Sequence, residues 1–120
     1  MAFSKETREH MEACLMAVVP IESRAMFGGV AFYAEGRVFA ILAEDKLWLR
    51  ADDATKRMFM EADMGPFFPY DSPTPMPYWQ LPDGVLEQPD ELRPWVDAAI
   101  GAAERAAAKR KPRTPRARKK

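Results

Sequence analysis

One histidine and one cysteine stand at a spacing that could support catalysis. His10 and Cys14 are four residues apart, so a helix would place their side chains on adjacent turns. Cys14 falls in a predicted apolar stripe and His10 at its margin, which favours an inert buried thiol beside an exposed imidazole. A structural zinc site needs four ligands, and the sequence has no second cysteine or histidine. We therefore predict no metal and no cofactor.

The acidic residues are scattered along the chain. Asp52-Asp53 and Asp90-Glu91 come where helices are predicted to begin, and capping of free N–H groups explains them there. A carboxylate dyad for glycoside or phosphoryl transfer would need folding to bring such residues together. The sequence therefore favours a protein with no catalytic residues, and a hydrolase is the minor alternative.

A second candidate site combines an arginine with aromatic residues and a glycine pair. An arginine among aromatic rings can bind an anion or stack on a ring, and its alternative role is an ion pair with a carboxylate. Glycines within a strand indicate either a structural bulge or the close approach of a ligand or partner. The candidate ligand-binding or partner-binding residues are Arg24, Met26, Phe27, Gly28, Gly29, Tyr33, Phe68, Tyr78 and Trp79.

A basic tail follows an acidic region. Every acidic residue lies at or before Glu104, so residues 1–108 carry a net charge of −8, which residues 109–120 balance. We predict a domain over 1–108 and a disordered tail over 109–120. The tail suits phosphate backbones through counterion release but has no aromatic residue to read bases, and its alternative role is a solvated segment. The candidate nucleic-acid contacts are Lys109, Arg110, Lys111, Arg113, Arg116, Arg118, Lys119 and Lys120.

A small antiparallel sheet is predicted to position these residues. Residues 24–42 are rich in Val, Ile, Phe and Tyr and predict two strands joined at Glu35-Gly36, with Gly28-Gly29 inside the first strand. A turn at 43–46 and a strand at 47–50 extend this hairpin into a meander.

Two proline-flanked aromatic segments predict a second, irregular hairpin. Residues 67–70 and 76–82 bracket the loop at 71–75, and proline restricts such strands to sheet edges. The fold class is therefore α+β, with about five strands, two of them irregular.

Three helices are predicted to pack on the sheet. The N-terminal helix covers 4–19 with Ser4 as its N-cap, and the middle helix covers roughly 53–63. The C-terminal helix starts near Asp90 or Glu91, with Pro94 in its first turn, because proline deeper in a helix costs about 3 kcal/mol. Its apolar stripe is Leu92, Trp95, Val96, Ala99, Ile100 and Ala103.

The sequence also predicts the compartment. It has no run of about 18 apolar residues and no apolar core of a signal peptide near its N-terminus. A single cysteine cannot form an internal disulfide. We expect a cytoplasmic protein that does not interact with membranes.

Several motifs together resemble one known family. The order Arg-x-Met-Phe-Gly-Gly from Arg24, then Phe-Tyr-x-x-Gly-x-x-Phe-Ala, then Leu-Trp-Leu-Arg-x-Asp is similar to the N-terminal domain of the TfoX/Sxy family. The later Pro66-Phe67-x-x-Tyr70, Met-Pro-Tyr-Trp-x-x-Pro from Met76 and Leu92-x-x-Trp95 extend the resemblance over roughly residues 8–105.

The resemblance implies an α+β domain and an association with the regulation of natural competence. Longer members act as positive regulators of transcription alongside the cyclic-AMP receptor protein. They carry a second, C-terminal domain where this chain has its basic tail. The family offers no agreed catalytic residues to assign.

The favoured function is a non-enzymatic regulatory module that docks a protein partner, for which the transcription machinery is a candidate. Its expected surface is the 66–82 region together with the strand that carries Gly28-Gly29. One alternative is an anion-binding domain or minor enzyme that uses Arg24 and nearby aromatic residues. Another is weak, non-specific nucleic-acid binding through the tail. Monomer and homodimer both remain open.

Overall fold

The computed structural model describes residues 4–26, 29–68 and 73–110, except for the side chains of Met26 and Arg110. The strands form one antiparallel sheet in chain order, β1-β2-β3-β4-β5. This arrangement confirms the predicted α+β meander with an N-terminal, a middle and a C-terminal helix. The elements are α1 (Lys5–Met16), β1 (Glu22–Met26), β2 (Gly29–Ala34), β3 (Arg37–Ala43), β4 (Lys46–Arg50), α2 (Lys56–Glu61), β5 (Tyr78–Gln80) and α3 (Pro89–Arg110).

Two tight turns build the centre of the meander. Glu35 and Gly36 join β2 to β3 with φ angles of 53° and 81°. Glu44 and Asp45 join β3 to β4 with φ angles of 56° and 59°. Two successive residues with positive φ match the right-handed twist of the flanking strands. Both predicted turns are thus confirmed.

The predicted first strand was wrong, because it is two strands. β1 ends at Met26 and β2 begins at Gly29, and these two residues are register partners. The glycine pair therefore does not lie inside one strand, and Phe27 and Gly28 fall outside the described residues. The register irregularity lies instead at Phe32/Tyr33. Strand-forming residues flank the glycines on both sides, so local preference did not distinguish one long strand from two short ones.

The helices lie on one face of the sheet. Alternate residues of β2 (Val30, Phe32 and Ala34) point into the same core as Leu15 of α1. The predicted α3 stripe supplies the opposing surface, where Leu92 and Ala99 are fully buried. Other large core side chains are Phe39, Leu42, Leu47, Leu49, Phe59 and Val96.

The N-terminal helix is shorter than predicted, but its cap is correct. The Ser4 hydroxyl accepts a hydrogen bond from the Thr7 backbone N–H at 3.1 Å. The helix ends at Met16, whereas the sequence predicted an end near residue 19. The Val18 and Val19 N–H groups both bond to the Leu15 carbonyl oxygen, which turns the chain before β1.

The middle helix is also shorter than predicted. Its N-cap is Thr55 rather than Asp52 or Asp53. The Asp52 carboxylate instead accepts a hydrogen bond from the Ala54 N–H at 3.1 Å, so it stabilises the turn that precedes the helix. The helix ends at Glu61, before the predicted end near residue 63, and Asp63 adopts a φ of 67° outside it.

The C-terminal helix begins one residue earlier than predicted. Pro89 is its first residue, where no N–H group is needed. The Gln88 carbonyl oxygen accepts bonds from the N–H groups of Glu91 and Leu92, so the first turn closes ahead of Pro94. Pro94 is therefore inside the helix, not in its first turn as predicted. The helix also includes Lys109 and Arg110, which the sequence assigned to the tail.

The 66–82 region forms the predicted irregular hairpin. The Phe67 N–H bonds to the Tyr78 carbonyl oxygen, and the Met76 N–H bonds to the Phe67 carbonyl oxygen, both at 2.8 Å. The first segment is reduced to a single bridge between Pro66 and Trp79. Its predicted continuation at 69–72 falls outside the described residues.

Candidate functional site

The sheet has a second face on which none of the described helices packs. Register partners form one row of side chains on this face, which runs from Arg24 through Ala31, Ile41 and Trp48 to Gln80. We call this surface the helix-free face. Its arginine, aromatic and aliphatic side chains are Arg24, Ala31, Tyr33, Val38, Ile41, Trp48, Arg50 and Tyr78.

At one edge of this face Arg24 stacks on Tyr33. The guanidinium carbon lies 5.5 Å from the ring centroid. Arg24 lies opposite Ala31 and Tyr33 lies opposite Glu22, so the two side chains are diagonal neighbours across β1 and β2. Ring stacking, one of the roles predicted for Arg24, is therefore present in the structure. Among the described residues, no carboxylate forms an ion pair with this exposed arginine.

On the other side of the face Arg50 makes a second arginine–tyrosine pair. Its guanidinium carbon lies 5.6 Å from the Tyr78 ring centroid, and its Nη1 donates to the Tyr78 hydroxyl at 3.4 Å. The two residues are direct partners across β4 and β5. The sequence analysis did not include Arg50 among the candidate residues. The alternation in Leu47-Trp48-Leu49-Arg50 could have indicated it, because a strand places Trp48 and Arg50 on the same face.

An apolar strip separates the two arginines. Trp48 is only 7% exposed, and its indole N–H donates to the Ala43 carbonyl oxygen at 3.0 Å. The Phe67 ring packs edge-on against it with a centroid distance of 5.0 Å. Ile41 lies opposite Trp48 and is half-buried. The face therefore combines a preformed apolar strip with cationic groups at both sides.

The predicted site residues do not form one surface. Arg24 lies on the edge strand β1 and Tyr33 on the neighbouring β2, whereas Tyr78 lies on β5, about 19 Å from β1 across four strand spacings. Trp79 points to the helix side, where its ring centroid lies 6.1 Å from that of Phe59. The expected surface combined the 66–82 region with the glycine-bearing strand, but Gly29 begins β2 and the 66–82 region contains β5, so three strand spacings separate them.

The remaining predicted residues are distributed as follows. Phe68 is 51% exposed, as a contact residue requires. Gly29 is the first residue of β2, opposite Met26. Lys109 is an exposed residue of α3. The other predicted residues lie outside the described residues, or their side chains do: Phe27, Gly28, Arg110, Lys111, Arg113, Arg116, Arg118, Lys119 and Lys120.

The His10–Cys14 pair has a third neighbour in Glu87. His10 Nε2 lies 2.8 Å from a Glu87 carboxylate oxygen and 3.7 Å from the Cys14 sulfur. A catalytic relay uses opposite ring nitrogens for the nucleophile and the orienting carboxylate, whereas one nitrogen makes both contacts here. Partial burial, and then the negative charge of Glu87, raise the pKa of the Cys14 thiol. This arrangement disfavours a thiolate nucleophile.

Two shallow cavities accompany these elements. One of about 230 Å³ lies beside His10 and Glu87, and one of about 320 Å³ lies beside Asp52 and Trp79. Within the described ranges, no three His, Cys, Asp or Glu side chains are grouped to hold a metal ion. The helices in those ranges are too short or too polar to cross a membrane.

Comparison with known families matches the same region. The model of the TfoX N-terminal domain covers residues 13–103 of the 120-residue chain. That range runs from α1 into α3, so it contains all five strands and both arginine–tyrosine pairs. A search of curated proteins found no match. With about three quarters of its length matched, the chain belongs to the family defined by the TfoX N-terminal domain.

Proposed function

We propose that this domain is a non-enzymatic interaction module that docks a protein partner on its helix-free face, in the regulation of transcription. Membership of the TfoX N-terminal domain family supports this class of function. The observation that carries the proposal is the pair of arginines, Arg24 and Arg50, which stack on tyrosines and have no carboxylate partner among the described residues.

Ring stacking leaves these arginines able to bind. A guanidinium that stacks uses its planar face, so N–H donors at its rim stay free for an acceptor. Arg50 uses only Nη1 in this way, on the Tyr78 hydroxyl, and its other donors stay free among the described residues. Arg24 is exposed, and Arg50 is half-exposed. Their acceptors would be carboxylates of a partner, because charge-assisted hydrogen bonds between arginine and carboxylate are among the strongest at interfaces.

The spacing of the arginines favours an extended partner over a metabolite. Arg24 is on β1 and Arg50 on β4, so about 14 Å of sheet separates their strands. A single small carboxylate or phosphate does not bridge that distance. Ile41 lies between them, beside the nearly covered Trp48, and its half-buried side chain supplies the apolar contact that a peptide segment would bury. The partner therefore has acidic residues on both sides of an apolar stretch.

Charge reversal on the helix-free face tests the proposal. The wild-type chain is used to capture a partner from nuclease-treated native lysate, beside Arg50→Glu and the matched control Arg57→Glu. Arg57 is exposed on α2, away from this face. We expect Arg57→Glu to retain the partner and Arg50→Glu to lose at least about tenfold of the captured amount, as a close interfacial charge pair would.

Folding of Arg50→Glu is checked by circular dichroism and thermal unfolding, since Arg50 also contacts the buried Tyr78. If that variant unfolds, Arg50→Gln removes the charge without reversing it, on a shorter side chain that still carries N–H donors. Equal capture by a folded charge variant and the wild type would reject the helix-free face as the docking surface.

A further inference from the structure

The two edge strands of the sheet differ in whether another segment covers them. At β5, the Phe67 N–H bonds to the Tyr78 carbonyl oxygen at 2.8 Å, and the Gln80 N–H bonds to the Gly65 carbonyl oxygen at 3.1 Å. Residues 65–67 thus occupy the outer side of that strand. At β1, the inner side pairs with β2, and no segment of the described ranges pairs with the outer side. Five residues of strand edge are therefore open.

The charges on β1 do not protect this edge. Open edges are commonly guarded by prolines or by charges that repel a second strand. Proline flanks this strand only at Pro20, outside it. Within the strand, Glu22 and Arg24 carry opposite charges and are both exposed. They are two residues apart, so both side chains lie on the helix-free face. Opposite charges on one face attract an antiparallel copy of the same strand in a suitable register.

The register of β1 with β2 determines which backbone groups point outward. Met26 and Gly29 are partners across a connection of two residues, and such a hairpin closes with a hydrogen-bonded pair. Hydrogen-bonded and non-hydrogen-bonded pairs then alternate along the strand. The Arg24 N–H and C=O groups therefore point towards β2, and those of Ser23 and Ala25 point away from the sheet.

We propose that β1 pairs antiparallel with β1 of a second copy of this chain, with the two-fold axis at Ser23. The outward backbone groups of the two Ser23 residues then bond to each other. Glu22 of each copy lies opposite Arg24 of the other, as a non-hydrogen-bonded pair in which side chains approach most closely. Two five-stranded sheets become one continuous ten-stranded sheet.

Competing registers lack this complementarity. A two-fold axis at Arg24 would place the two arginines opposite each other, and like charges directly opposite are destabilising. An axis at Ala25 would leave Arg24 opposite Met26 with no acidic neighbour. Only the Ser23-centred register satisfies both charges of each copy.

The strand is already held in the required shape. The Ser23 hydroxyl donates to a Glu12 carboxylate oxygen at 2.6 Å and accepts from Arg8 Nη2 at 3.1 Å, which fastens β1 to α1. The hydrogen bond from the Ser23 hydroxyl lowers the pKa of the Glu12 carboxyl, and Arg8 lowers it further. Burial raises this pKa, but the net effect is a lowering. Stacking on Tyr33 likewise orders Arg24, so little side-chain freedom is lost on pairing.

The association should be reversible. A ladder of five residues buries less surface than the 1,200–2,000 Å² of typical stable interfaces, so we expect a dissociation constant roughly in the micromolar range. The proposal does not depend on the docking of another protein, because it concerns the purified chain alone.

Sedimentation equilibrium of the full chain over a range of concentrations tests the proposal, with Glu22→Arg and Arg24→Glu as the variants. Each substitution alone places like charges opposite each other in a homodimer, so each should weaken dimerisation by about tenfold or more. An equimolar mixture of the two variants pairs arginine with glutamate at both contacts. Dimers should therefore return in the mixture, which a general loss of structure would not allow.

The matched control Arg57→Glu should dimerise as the wild type does, and circular dichroism should show the same fold in every variant. A wild type that stays monomeric up to about 1 mM, far above the expected dissociation constant, would overturn the proposal. So would two single variants that still dimerise, or a mixture that forms no more dimer than its components. The capture experiment with Arg50→Glu is independent of all three outcomes.

Discussion

The arginines on the two sides of the sheet are held by different groups. On the helix side, Arg105 Nε donates to an Asp52 carboxylate oxygen at 2.6 Å, and Arg8 Nε donates to Glu12 at 3.0 Å. On the helix-free face, Arg24 and Arg50 lie over tyrosine rings at 5.5 and 5.6 Å, and neither forms an ion pair among the described residues.

This difference separates structural arginines from available ones. A carboxylate uses the N–H donors at the rim of a guanidinium, so Arg8 and Arg105 have fewer donors left for a partner. A ring contacts the planar face and leaves the rim free. The first kind joins α1 to β1 and α3 to the turn before α2. The second kind marks the surface on which we place the interactions of this domain.

The largest expected effect is on the free energy of unfolding, when the tyrosine under each arginine is removed. The two tyrosines differ in burial, so the two losses should differ. Tyr78 is 6% exposed, whereas Tyr33 is half-buried. Tyr78→Ala should lower the free energy of unfolding by about 3 kcal/mol, because it leaves a cavity, and Tyr33→Ala should lower it by about 1 kcal/mol. Urea denaturation measures both, and Phe68→Ala is the control, with a change within about 0.5 kcal/mol. Equal losses for the two tyrosines would show that burial does not distinguish the two pairs.

A smaller, pH-dependent effect is expected at the carboxylate-held Arg105. Its hydrogen bond lowers the pKa of Asp52, against an opposing effect of burial. Because the folded pKa is lowered, the ionised carboxylate stabilises the fold above the pKa of the unfolded chain. That contribution is lost as the pH falls through the folded value. Asp52→Asn retains an oxygen that can accept from Ala54, but it replaces the oxygen that accepts from Arg105 Nε with an NH2 group. It therefore removes the charge and that hydrogen bond together.

For this partly exposed pair, the loss at pH 7 should be about 1 kcal/mol or less. The difference between Asp52→Asn and the wild type should shrink as the pH falls below about 4. Urea denaturation at several pH values measures it. Asp53→Asn is the matched control, because the Asp53 side chain is 99% exposed. A difference that stays constant down to low pH would show that the ion pair does not stabilise the fold.

The smallest effect is expected at Arg24. Arg24→Met keeps an apolar stem over Tyr33 and removes the charge, so it should cost about 0.5 kcal/mol. Its partner is a ring, not an acid, so the cost should be the same at pH 4 and pH 7. Parallel urea titrations with Arg57→Met as the control measure it, at protein concentrations far below the expected dissociation constant of the proposed dimer, so that Glu22 of a second copy does not contribute. A cost that falls with acidification would reveal a carboxylate partner and remove the contrast with Arg105.

Much of the fold followed from local sequence patterns. Ser4 capped its helix, and Glu35-Gly36 and residues 43–46 turned the chain as predicted. The apolar stripe from Leu92 to Ala103 faced the core. These features depend on backbone preferences and on periodicity, which act over a few residues. The family motifs are also a property of the sequence, and the family match confirmed them.

Helix ends were less predictable because nearby groups compete for the same backbone bonds. Thr55 occupies the N-cap position of α2 without a side-chain cap hydrogen bond, although Asp52 and Asp53 are stronger caps by preference. The Asp52 carboxylate instead accepts from Arg105 and the Ala54 N–H. Pro94 lies inside α3, and not in its first turn, because the helix already begins at Pro89. Neither outcome depends on one residue alone.

The sequence by itself determined the α+β class, the turn positions, the helix stripes and the family. Only the tertiary structure decided which aromatic residues share a surface. Tyr78 and Trp79 are adjacent in the chain, yet the pleat sends one to the helix-free face and the other into the core. The structure also separated Arg24 from the 66–82 region, because a meander in chain order places its first and last strands at opposite edges. Strand pairing joins residues that are far apart in sequence, and local preferences do not contain that information.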